Sequence, residues 1–154
     1  MKKRIYFSFL VMLCFSLMSL TCSNDDENVN DNNQQISQIE NIVESGTWRI
    51  TNYIDSGENE TSDFTGYNFS FNSDGSLIAS NGTNTLTGTW SITDDSSSSD
   101  DDIDFNIFFP VSDNNDFEDL NDDWDIISNT STKIELIDIS GGNGGTDNLT
   151  FEKN

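Results

Sequence analysis

The side chains able to do chemistry in this chain are almost all carboxylates. Its 154 residues include 28 Asp and Glu, six Lys and Arg, and no His. Without an imidazole there is no Ser–His or Cys–His pair, so a nucleophile has no neighbouring base to activate it. Paired carboxylates can hydrolyse glycosides when they flank the bond at a set separation. With acids this abundant, such pairs arise by chance, and none is singled out. A non-catalytic protein is expected.

Two acidic stretches offer oxygen ligands of the kind Ca²⁺ takes. One holds Asp94, Asp95, Asp100, Asp101 and Asp102; the other holds Asp113, Asp116, Glu118, Asp119, Asp122 and Asp123 among asparagines. An EF-hand starting at Asp113 needs Gly at its sixth position and Glu at its twelfth, where the chain has Glu118 and Trp124. Solvated acidic loops account for both stretches, and Ca²⁺ in them is the competing reading. No other cofactor is expected. The glycine-rich run 141–145 lacks the Lys and the following helix of a phosphate loop, so it reads as a flexible connection. A net charge of −22 excludes nucleic acid as a partner, because binding to phosphates depends on Lys and Arg.

The bases cluster at the N-terminus. Lys2, Lys3 and Arg4 precede an apolar run from Ile5 to Leu20, then Thr21 and Cys22. That order describes a secretory signal over residues 1–21. A spanning anchor needs about 20 apolar residues, and Ser8, Ser16 and Ser19 dilute this run. Cys14 would leave with the signal. Cys22 is then the sole mature cysteine, which excludes an intrachain disulfide. The run Ser19, Leu20, Thr21, Cys22 resembles the lipobox of bacterial lipoproteins. That resemblance implies that Cys22 is acylated, begins the mature chain and attaches it to a membrane. The following Ser23, Asp25, Asp26 and Glu27 resemble the surface-export signal of Bacteroidota-type lipoproteins, which implies an outer-membrane protein facing the cell exterior. An ordinary solvated linker is the alternative.

Residues 22–43 are acidic and amide-rich, and are expected to form a flexible tether. Within them Ile36, Ile39, Ile42 and Val43 have the spacing of one or two helical turns leading into the domain. Beyond the signal only Arg49, Lys133 and Lys153 are basic, and every aromatic residue lies between Trp48 and Phe151. The folded domain is therefore expected over 44–154.

Alternation marks its strands. Tyr67, Phe69 and Phe71 alternate with polar residues, as do Leu86, Gly88, Trp90 and Ile92, then Ile103, Phe105, Ile107 and Phe109. Turn signals stand at Asp74–Gly75 and Asn81–Gly82, and Pro110 ends a strand. Strands are predicted at 47–54, 67–71, 76–80, 85–93, 103–109, 124–128, 132–139 and 148–153, with a short helix at 117–120. Eight sequential strands favour an all-β fold, an antiparallel up-and-down barrel or else a β-sandwich.

Gly46, Thr47 and Trp48 recur as Gly88, Thr89 and Trp90. Glycine allows close backbone approach and Trp fills the core behind it, so a structural role outweighs ligand stacking. The Gly46–Trp48 motif, the run from Tyr67 to Ser76, Gly88–Trp90 and the closing Leu149–Lys153 resemble lipocalin-like domains of bacterial surface lipoproteins. The resemblance implies a calycin-type barrel over 44–153, with a basic residue near the last strand packed across the motif Trp. Lys153 is the residue available, and it shares strand parity with Leu149 and Phe151. The resemblance also implies a binding module for a small hydrophobic ligand or a glycan, and a monomer is expected. The alternative is a structural or protein-interaction lipoprotein without a small-molecule site. An apolar cavity favours the first; an interior filled by Trp48, Trp90 and the Phe rows favours the second.

Overall fold

The computed structural model describes residues 27–94, 103–139 and 145–154. A helix, α1 (Glu27–Val43), leads into nine strands: β1 (Trp48–Asp55), β2 (Glu58–Asn59), β3 (Asn68–Phe71), β4 (Ser76–Ser80), β5 (Thr85–Asp94), β6 (Ile103–Phe108), β7 (Asp122–Asn129), β8 (Lys133–Ile139) and β9 (Thr146–Lys153). A 3₁₀ turn, Thr61–Phe64, precedes β3.

Every pairing is antiparallel, and consecutive strands from β3 to β9 are neighbours. Closure comes from β1, which pairs with β9 from Trp48↔Lys153 to Ile54↔Asn148 and meets β3 at Trp48↔Phe69. The result is a closed eight-stranded up-and-down barrel, with β2 as an extra strand hairpinned onto β1. Closure removes the exposed edges that a sandwich would keep.

The alternation read from the sequence decides which faces turn inward. On β5, Gly88, Trp90 and Ile92 are buried while Thr87, Thr89, Ser91 and Thr93 are exposed. β6 buries Ile103, Phe105 and Ile107, and β9 buries Leu149 and Phe151. These side chains form one contiguous core that includes Trp48, Phe69, Phe71, Trp124 and Leu136. Rings meet edge-on through it: Phe71 stands 5.5 Å from Trp90, 5.4 Å from Phe105 and 5.5 Å from Phe151. The barrel interior is filled with side chains.

Both ends are covered. At one, α1 buries Ile39 and Val43 in the core. Its orphan carbonyls are satisfied locally: Trp48 Nε1 donates to Val43 O at 2.8 Å, and Ser45 Oγ donates to Ile42 O. Asn32 on the helix donates to Asp94 at the end of β5. The helical turns expected from Ile36 to Val43 are present, and the helix extends back to Glu27, where a flexible tether was expected. The apolar stripe Ile36, Ile39, Ile42, Val43 has a barrel end to pack on, and tertiary burial stabilises helix in a stretch whose polar residues alone suggest coil.

At the other end, Phe64 and the β6–β7 connection form the cover. Phe117 and Leu120 are buried there, with Phe117 within 4.9–5.3 Å of Tyr67, Phe109 and Phe64. Tyr53 donates its phenol proton to Asp119 O at 2.8 Å. The short helix predicted at 117–120 is a chain of turns instead. Asn115, Glu118 and Asn121 each bond the carbonyl three residues back, but no run of consecutive bonds forms. Asn115 Oδ1 accepts from Phe117 N, a side-chain turn that competes with helix.

Candidate functional site

Trp48 and Trp90 lie in the core and Gly88 in the wall, while Gly46 sits in the exposed bend between α1 and β1. Trp48 is fully buried and Trp90 nearly so, its Nε1 donating to Asn72 O. Lys153 Nζ sits 5.4 Å from the Trp48 ring centroid and donates to Ser45 Oγ at 2.8 Å. Gly46 lies under that lysine: a Cβ there would stand 2.9 Å from Lys153 Cε, on a backbone with φ of 141°. At Gly88 a Cβ would stand 2.2 Å from Phe108 O, so only glycine lets β5 pass the end of β6.

Cys22, Ser23, Asp25 and Asp26 lie outside the described residues, and Glu27 opens α1. In the first acidic stretch Asp94 ends β5, and 95–102 lie outside the described residues, as does 141–144 of the glycine run. The second stretch forms the turns over the barrel end. Among the described residues, no three acids converge so as to hold a metal ion. Around that end Asp55, Glu60, Asp63 and Asp119 repel one another. Burial first, then this repulsion, raises the carboxyl pKa of Glu60; burial first, then the charge of Glu118 followed by Asp55, raises that of Asp119.

A cleft of about 510 Å³ opens on the outer wall over β5, β6 and β7, lined by Thr89, Ser91, Asn106, Phe108, Asp122 and Asp123, among others. Register builds it. Ser91 pairs with Asn106, and Asn106 pairs with Asp123, so a hydroxyl, an amide and a carboxylate form one row across three strands. Two residues along β6, Phe108 pairs with Thr89 and exposes 53% of its surface. The frame is stiff. Asn106 Nδ2 donates to Thr93 Oγ1 at 2.8 Å, and the Asn121 amide bonds both backbone groups of Phe109, at 2.5 and 3.0 Å.

Asp122 closes one side, and its Oδ1 accepts from Asp123 N at 2.9 Å. Partial burial, the side-chain bond with Asp123 and the charges of Asp138 and Asp123 push its pKa up to about 6. Sequence reasoning passed over this site, although a signal was present. Phe108 ends β6 and Phe109 follows it directly, so in extended chain the two rings point to opposite faces and one faces outward.

The elements define a closed antiparallel barrel with a filled core, covered ends and a polar cleft on its wall. No protein-family model matches the chain, and no curated protein matches it. Among solved structures it is similar to a DUF4847 family protein from Bacteroides vulgatus, with 22% identity and a TM-score of 0.49, over 75% of this chain and 97% of that one.

Proposed function

We propose that this protein is a lipid-anchored, non-catalytic binding module of the cell surface, in which the barrel is a solid scaffold and ligand contacts lie on its outside. The observation that carries this reading is the polar cleft on the wall over β5, β6 and β7. The filled interior, which by itself favours a lipoprotein with no small-molecule site, rules out a ligand inside the barrel and leaves the outside as the place for one. The volume in which a barrel of this size would hold an apolar ligand contains Trp48, Phe69, Phe71, Phe105, Trp124 and Phe151, each at most 2% exposed. A glycan or small polar ligand on the wall fits this better than an apolar ligand inside.

The anchoring half rests on Cys22 and the acidic Ser23–Glu27 that follow it. Acylation at Cys22 gives membrane attachment, and α1 then begins only five residues beyond the anchor. The domain is accordingly held close to the membrane, with the long connector being helix rather than coil. Fractionation of wild type and Cys22→Ala, with protease treatment of intact cells, tests it. Wild type is expected in the outer membrane, carrying an acyl mass on its N-terminal peptide and cleaved from outside. Unchanged membrane association of Cys22→Ala, or full protection in intact cells, overturns the reading.

A further inference from the structure

We propose that the cleft over β5, β6 and β7 binds a neutral sugar ring, which stacks on Phe108 and hydrogen-bonds to the row Ser91, Asn106 and Asp123. This deepens the binding-module reading and rests on it.

A pyranose has an apolar C–H face and a rim of hydroxyls, so a site for it needs a flat apolar surface beside mixed donors and acceptors. The wall supplies that pair of features. Phe108 is one of three large apolar side chains exposed among the described residues, the others being Ile127 and Ile139, and it alone lines this cleft. Its position two residues along β6 from Asn106 sets the ring about 7 Å from the polar row, while neighbouring strands space that row at about 4.8 Å. A sugar ring stacked on Phe108 extends its hydroxyls beyond the phenyl edge toward the row, and the spacing of about 4.8 Å along the row lets neighbouring hydroxyls meet neighbouring polar side chains.

The chemistry of the row fits hydroxyls. Ser91 and Thr89 can both donate and accept, Asn106, whose Nδ2 is held by Thr93 Oγ1 and Ser91 O, adds its amide oxygen as an acceptor, and Asp123 adds further acceptor oxygens. Bidentate carboxylate–hydroxyl contacts are charge-assisted and therefore strong for their size. Anionic ligands are excluded by Asp122, Asp123 and the overall charge of −22. A cationic ligand is the main competitor. It is the weaker fit to the apolar half of the site, because the exposed Phe108 ring beside the polar row matches a ligand with an apolar face and a rim of hydroxyls. The cleft has an open face, which suits one or two residues of a longer chain passing over the wall.

The test is an amide-resolved NMR titration of the intact mature chain with neutral hexasaccharides of glucose, mannose, galactose and xylose, each taken to about 10 mM to reach weak affinities. At least one is expected to give saturable shifts centred on Thr89, Ser91, Asn106, Phe108, Asp122 and Asp123. Phe108→Ala should weaken that sugar about tenfold, the scale of one lost stacking contact. Ile127→Ala, exposed on another part of the wall, should leave it unchanged. Both positions are exposed, so the variants should keep the fold, checked by their amide spectra. The inference is overturned if no hexasaccharide gives saturable shifts or if Phe108→Ala binds like wild type. It is equally overturned if a lysine-rich peptide, and no sugar, shifts these amides. Saturable sugar shifts confined to the covered ends would leave the binding-module reading standing and sink this site alone.

Discussion

Removing Phe117 should unseat the cover at one end of the barrel. Its ring is 4% exposed and contacts Tyr67 at 4.9 Å, Phe109 at 5.0 Å, Phe64 at 5.3 Å and Phe69 at 6.0 Å. A buried Phe→Ala change costs about 3–5 kcal/mol, the spread reflecting how far the site collapses. Here the surroundings are turns bonded at Asn115, Glu118 and Asn121, which can close in more readily than paired strands. The lower value, about 3 kcal/mol, is therefore expected. At roughly 4 °C per kcal/mol for a domain of this size, Tm should fall by about 12 °C. Urea unfolding followed by Trp fluorescence measures the free energy, with the slope unchanged if the unfolded state is unaffected. A loss below about 1 kcal/mol would mean that Phe117 packs against nothing essential, and the covered end would be refuted.

Three further perturbations probe other parts of the structure. Lys153→Ala should lose about 0.5–1 kcal/mol and alter Trp48 emission, whereas Lys133→Ala, paired at the surface with Glu135, should leave that emission as it is. Gly88→Ala should cost about 1–3 kcal/mol or more, read from the urea midpoint, because its Cβ would collide with Phe108 O. Asp122 has a native pKa of about 6, above its unfolded value, so the native state binds the extra proton. Its contribution is fully present below the unfolded pKa and disappears as pH rises through about 6. Asp122→Asn should therefore flatten part of the fall in Tm between about pH 4 and 7; an identical pH profile for the two proteins would refute this.

Much of the barrel was legible because its strands carry strict period-two patterns. Tyr67, Phe69 and Phe71, or Leu86, Gly88, Trp90 and Ile92, leave only one face to bury, and a closed sheet needs such a face on every strand. What escaped was structure decided by contacts distant in sequence. The spacing of Ile36, Ile39, Ile42 and Val43 marks the last turns of α1, but the polar residues before them show no such pattern, so the extension of the helix back to Glu27 was not legible. Strand β2 has two residues, too short for any pattern, although Ser56 and Gly57, both at positive φ, mark its hairpin. The wall cleft escaped because its row is assembled across three strands, at Ser91, Asn106 and Asp123. Each alone looks like an ordinary outward polar residue.

The claim that the barrel is a solid scaffold is tested most directly by titrating the wild-type protein with cis-parinaric acid, a fluorescent apolar chain that lights up inside lipid-binding barrels. A filled core predicts no saturable rise in probe emission and no energy transfer from Trp90 or Trp124, both of which are buried in the interior. Saturable binding of one probe per chain, with quenching of those tryptophans, would contradict the account and place the ligand inside the barrel.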